Sequence, residues 1–139
     1  VLCALIQYPD IFCAASSSYG ISDLKSLSQH THKYELHYTT TLMGGTYEDL
    51  PGVYKARSAL HHADKIRTPL LLLQGDQDRV VAPDQSRRMA RAIESHAGKI
   101  KYIEFPSEGH GFRRSDTRKR ALEEEFAWCN DAARIPEVC

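Results

Sequence analysis

The apolar positions of this chain fall into two regimes. In the second half they recur in regular blocks. Pro69 to Gln74 is a continuous leucine run, the pattern of a parallel strand buried on both faces. Pro83-Asp84 opens a helix through about His96, whose Met89, Ala90, Ile93 and Ala97 fall at i, i+1, i+4 and i+8, on one stripe. Ile100 to Phe105 is a further strand in a β-rich context. Ser115-Asp116 caps a last helix, with Leu122, Phe126 and Cys129 at i, i+4 and i+7 as its apolar stripe.

The first half is less regular. Val1 to Tyr8 is apolar without alternation and reads as the last turns of a helix, stopped by Pro9-Asp10. Ile11 to Ser18 follows as a buried strand, closed by Ser18 and Gly20. Ser22-Asp23 caps a short helix through about Ser28. Between Gln29 and Leu60 the chain is polar, aromatic and irregular, with one helix over 34–43 ended by Gly44-Gly45 and a turn with a short helix over 48–58. So long an excursion between strands suits a binding lip.

Strands alternating with helices predict an α/β fold: about three parallel strands with flanking helices and right-handed crossovers. An open parallel sheet of that size leaves one flank uncovered. The expectation is a fragment, the C-terminal portion of a larger α/β domain spanning residues 1–139.

Composition narrows the function classes. The 139 residues are 42% hydrophobic and 26% charged, as in a globular protein. Eighteen basic residues balance eighteen acidic ones, so no global field attracts nucleic acid or an anionic membrane. No apolar stretch approaches the roughly 18 to 20 residues that cross a bilayer, and no signal peptide is visible. Cys3, Cys13, Cys129 and Cys139 never form a C-x-x-C pair. That argues against zinc and fits free thiols in a reducing, cytoplasmic compartment, with a Cys13–Cys129 bridge left open. The compartment itself is not fixed by the sequence. His30, His32, His37, His61 and His62 raise metal binding, but no Cys or carboxylate stands at ligand spacing. Neither a metal nor an organic cofactor is expected. The basic strip Arg113, Arg114, Arg118, Lys119 and Arg120 reads as a solvated face.

The candidate chemistry lies where strands end. In an open α/β sheet functional groups gather at the carboxyl edge. Asp78 lies just past the leucine strand and His110 just past the next. One helix links those strands, so the two side chains can meet above the sheet. A carboxylate on one ring nitrogen fixes the tautomer and leaves the other nitrogen free to take a proton. Gly109 and Gly111 suit a loop that needs unusual dihedrals. Asp76 competes with Asp78 for the acid position.

The runs L-L-L-L-Q-G-D-Q-D-R-V-V-A-P-D-Q-S-R-R-M and E-F-P-S-E-G-H-G-F, with Y-P-D-I-F-C-A-A and Y-G-I-S-D-L before them, resemble the C-terminal part of the prolyl oligopeptidase family. The dipeptidyl-peptidase and acylaminoacyl-peptidase branches are the most similar, and the likeness covers nearly the whole chain. The resemblance implies an α/β-hydrolase domain, usually preceded by a β-propeller, acting on peptide substrates through a Ser-Asp-His triad. It implies Asp78 as the triad acid and His110 as the general base. The family's nucleophile occupies a G-x-S-x-G elbow just before the helix that leads into Y-P-D, a position upstream of Val1. No G-x-S-x-G occurs here, and Ser16, Ser17 and Ser18 lack the paired glycines of an elbow. The elbow also supplies an oxyanion-hole amide, a donor worth on the order of 3 to 4 kcal/mol. The segment alone is therefore expected to be inactive. Two alternatives stand beside the peptidase reading: a carboxylesterase or dienelactone-type hydrolase, and a non-catalytic remnant.

Overall fold

The structure, a computed structural model, describes residues 1–30 and 38–133. The leucine run forms the middle strand of a three-stranded parallel sheet. Its order is β1 (Ala15–Ser18), β2 (Leu70–Gly75), β3 (Ile100–Phe105). Helix α1 (Leu2–Gln7) precedes the sheet. The excursion after β1 carries α2 (Leu24–His30), α3 (Tyr38–Met43), α4 (Pro51–Arg57) and a 3₁₀ segment, Ala59–Lys65. Helix α5 (Asp84–Ser95) joins β2 to β3, and α6 (Ser115–Ala133) follows β3. The expected α/β class and its three parallel strands are what the structure has. Residues 34–37 of the helix expected over 34–43 lie outside the described residues; its remainder is α3.

Every residue of β2 is buried, because helices cover both faces. Leu70 and Leu72 join Leu2, Leu5, Ile66, Met89 and Ile93 in one cluster, beneath α1, the 3₁₀ segment and α5. Leu71 and Leu73 point the other way, against Ile103, Phe105 and Ala121, with Phe112 and Trp128 at the margin. A leucine at every position is thus alternation read twice, with neighbouring residues feeding opposite cores. Each such side chain contributes about 1.5 to 3 kcal/mol on burial.

Three expectations need correction. β1 begins at Ala15, not Ile11, and Ile11 and Phe12 are exposed. Pairing starts at Ala15 opposite Leu70, with the Ala15 N–H on the Pro69 carbonyl; Pro69 has no N–H with which to extend the ladder backwards. Ala97 leaves the α5 stripe, because it lies past the helix end at φ +58° and is exposed. The third concerns α6. Leu122 and Phe126 are 67% and 69% exposed and Cys129 is exposed too. The face turned inward is Thr117, Ala121, Glu125 and Trp128. Polar anchors set that rotation: the Ser16 hydroxyl donates to Glu125 at 2.7 Å and Trp128 Nε1 donates to the Pro69 carbonyl at 3.4 Å. Cys3, Cys13 and Cys129 are free thiols, so no Cys13–Cys129 bridge is present.

Two further attachments hold the helices. Arg87 grips Glu104 on β3 with both Nε (2.9 Å) and Nη2 (2.6 Å), while the Tyr102 hydroxyl donates to the same carboxylate. Gln85 reaches across to the residues before α2. Its Oε1 accepts the N–H groups of Ser22 and Asp23, and its Nε2 donates to the Asp23 carbonyl. Among the described residues, no helix is long and apolar enough to cross a membrane.

Candidate active site

β2 ends in a turn that brings Asp78 back under its own strand. The Asp78 side chain is fully buried, and its oxygens are met from several sides. Oδ1 accepts the N–H groups of Val80 and Val81, each at 2.9 Å. Oδ2 accepts Gln74 Nε2 at 3.0 Å and faces His110 Nδ1 at 2.9 Å. Gln74 is itself fixed, since its Oε1 accepts the Ser86 hydroxyl at 2.8 Å. An ionised carboxylate only accepts, so Nδ1 must donate and Nε2 carries the free lone pair. The ring stands at the surface, its side chain 36% exposed. A buried, pinned acid thus orients a solvent-facing imidazole at the carboxyl ends of two neighbouring strands.

Asp76 does something else. Its Oδ1 accepts the Ser107 N–H at 2.7 Å, which ties the two strand-end loops together. Of the two aspartates, Asp78 is the one in contact with His110. Of the two glycines flanking the imidazole, only Gly111 is left-handed, at φ +79°. Ser16, Ser17 and Ser18 make no hydrogen bond to His110, and the Ser16 hydroxyl is committed to Glu125.

Three residues that the sequence did not single out build the rest. Gln74 supports Asp78, and Tyr19 packs on the imidazole with ring centroids 4.6 Å apart. The third, buried Glu108, clamps the histidine loop at both ends. Its carbonyl accepts the Gln77 N–H at 2.9 Å, and its carboxylate accepts the N–H groups of Arg113 (2.9 Å) and Arg114 (3.1 Å) and the Thr117 hydroxyl. The available signal was position: Gln74 stands near the end of β2 and Tyr19 just past the end of β1, on the same edge of the sheet as the pair, and Glu108 lies two residues before His110.

Burial pushes the Glu108 carboxyl up, but the donated hydrogen bonds outweigh it and hold the group below its ordinary value. A carboxyl depressed in the folded state contributes stability above its unfolded pKa of about 4.3 and loses it as pH falls through the folded value. Glu108→Gln leaves one of these donors unmatched. It is therefore expected to destabilise the fold at neutral pH by about 1 to 3 kcal/mol. Urea titrations should find that deficit shrinking once the pH drops below about 4. A pH-independent deficit would contradict the assignment.

A cleft of about 450 Å³ does not involve the pair; it is lined by Asp23, Lys25, Tyr47, Lys55, His61 and Arg88 among others. No three His, Cys, Asp or Glu side chains converge as a metal site among the described residues. His32 and His37 lie outside those residues. The basic strip is solvated and partly paired with nearby carboxylates: Arg114, just before α6, with Asp116, and Lys119 and Arg120 with Glu123 and Glu124 one turn on.

A parallel sheet with helices on both faces, carrying an acid–histidine pair on adjacent strand ends, is the arrangement of the C-terminal part of an α/β-hydrolase domain. Comparison with known proteins specifies it. The family model described as Prolyl oligopeptidase family matches residues 1–135, and the chain belongs to that family. It is 32% identical over 122 residues to dipeptidyl aminopeptidase BIII of Pseudoxanthomonas mexicana, covering 85% of this chain and 18% of that one. It is 30% identical over 101 residues to the esterase LipQ of Mycobacterium tuberculosis, covering 71% and 24%. The solved structure of a puromycin-hydrolyzing peptidase of Mycobacterium tuberculosis superposes with a TM-score of 0.88 at 42% identity, over 94% of this chain and 20% of that one. The chain spans about a fifth of these relatives' length.

Proposed function

We propose that this segment supplies the acid and the base of a serine-type peptidase. His110 Nε2 takes the proton of a serine hydroxyl as that oxygen attacks the substrate carbonyl, and then delivers it to the leaving amine. Asp78 holds the ring in the working tautomer and balances the charge of the imidazolium. Water hydrolyses the acyl-enzyme by the same proton route. The observation that carries this reading is the 2.9 Å contact between His110 Nδ1 and the buried Asp78 carboxylate, within a chain that matches the family over residues 1–135.

The nucleophile, on this reading, lies in a part of the protein outside residues 1–139, which form a partial catalytic domain without the nucleophile-elbow half. The segment alone is then inactive. Support comes from its surfaces: among the described residues no strand pairs with the outer edge of β1, and Ile11, Leu122 and Phe126 are 70%, 67% and 69% exposed. Further sheet and helix, and the β-propeller implied by the family, would belong to the same protein. The substrate is a peptide.

A second reading is favoured by one finding, the esterase among the relatives. Assaying the whole protein on matched peptide and ester substrates separates the two. Cleavage of the peptides is the expected result; turnover of esters with the peptides untouched would replace the peptidase assignment by a carboxylesterase one. Cleavage of neither would leave the remnant reading standing.

A further inference from the structure

We infer that Tyr19 is a positioning residue for His110, and that its backbone is held in a strained conformation to perform that role. The inference rests on His110 as the base. Tyr19 is the first residue past β1, and its N–H donates to the Leu73 carbonyl at 2.7 Å, extending the β1–β2 ladder by one bond. Immediately there the chain turns left-handed, with Tyr19 at φ +44°. For a bulky aromatic residue this region is a genuine outlier. Glycine takes such a turn without steric cost, yet Gly20, next in the chain, is not left-handed. The strain falls on the residue that has a ring to place.

The turn throws that ring onto the imidazole, with centroids 4.6 Å apart and planes tilted by 51°. Behind it, Phe112 meets Tyr19 edge-on at 5.5 Å and Phe105 packs against Phe112 at 4.8 Å. Phe105 is buried in the core beneath. A hydrogen bond from Nδ1 to Asp78 fixes one atom of the imidazole but leaves the ring able to swing about that bond. The aromatic column, anchored in the core, removes the swing and so fixes where Nε2 points. Strain retained in the backbone thus serves orientation of the base.

The test uses three variants of the whole protein, assayed on a peptide substrate and melted in parallel. Tyr19→Phe keeps the ring and should stay within about threefold of the parent in kcat. Tyr19→Ala and Tyr19→Gly remove it and should lower kcat by about 10- to 100-fold, the cost of a misplaced catalytic group, with KM changed less than about threefold. Tyr19→Gly should melt at or above Tyr19→Ala, because glycine relieves the left-handed strain. A residue that only stabilised the fold would give the opposite pairing, with activity following the melting temperature. Unchanged kcat in Tyr19→Ala, or Tyr19→Phe as impaired as Tyr19→Ala, would overturn the positioning role. His110→Ala run alongside separates the two levels. If it is inactive, those outcomes reject Tyr19 alone; if it is fully active, the base assignment falls and takes the role of Tyr19 with it.

Discussion

Asp78→Asn in the whole protein is expected to lower kcat by about 10⁴-fold. The native carboxylate accepts from Val80, Val81, Gln74 and His110. An amide has one oxygen to offer. With that oxygen kept on the Val80 and Val81 N–H groups, the NH₂ would face two donors, Gln74 Nε2 and the imidazole. His110 would then accept at Nδ1 and carry its proton on Nε2, the tautomer that cannot take a proton from a serine. The same mismatch costs about 1 to 3 kcal/mol of stability, so activity is measured well below the melting transition. Asp76→Asn is the matched control. Its side-chain oxygen still accepts the Ser107 N–H, and kcat should stay within a few-fold of the parent. Parental activity in Asp78→Asn would remove Asp78 from the mechanism, and a loss confined to Asp76→Asn would transfer the role.

The sequence made this pair legible because position alone nominates it. Asp78 and His110 follow consecutive parallel strands joined by one helix, and residues at that edge converge whatever the details of packing. Choosing between Asp76 and Asp78 was beyond spacing, since both stand in the same turn; what separates them is that one carboxylate turns under the strand and the other reaches the Ser107 amide. Strands β2 and β3 and the Met89, Ala90 and Ile93 stripe of α5 were legible because periodicity reports burial where the inward positions are apolar. The α6 stripe misled for the converse reason. Its inward face mixes Thr117, Ala121, Glu125 and Trp128, and polar contacts outvote an apolar stripe when the opposing surface is small. Tyr19 acts on a residue far away in sequence, and Gln74 and Glu108 act through side-chain hydrogen bonds four to six residues along irregular turns, which neither helix nor strand periodicity encodes.

Gly75→Ala, a change of one methyl group away from any reacting atom, is expected to damage both fold and activity. Gly75 ends β2 opposite Phe105, and the histidine loop passes directly over it. A Cβ there would lie 2.3 Å from the Glu108 carbonyl oxygen, 2.7 Å from its carbon and 2.7 Å from the Gly109 carbonyl oxygen. All three are backbone atoms, so no rotamer change relieves the clash; the loop itself must lift. It is held on the other side, by the Glu108 carboxylate on Arg113 and Arg114 and by Gln77 on the Glu108 carbonyl. The overpacking should cost about 1 to 3 kcal/mol. Because His110 rides on that loop, a shift of a few tenths of an ångström lengthens its contact with a carboxylate that cannot follow. A loss of at least about tenfold in kcat should accompany the drop in stability, since misplacement by 1 Å costs on the order of 10²-fold. Gly52→Ala is the counterpart, with nothing within 4 Å of its added methyl. Its place in α4 favours alanine by about 0.5 to 1 kcal/mol. Urea denaturation and a peptide assay on both variants check the argument. Parental stability and kcat in Gly75→Ala would mean that the loop is free to yield and that the tight approach beneath His110 does not hold the base in place.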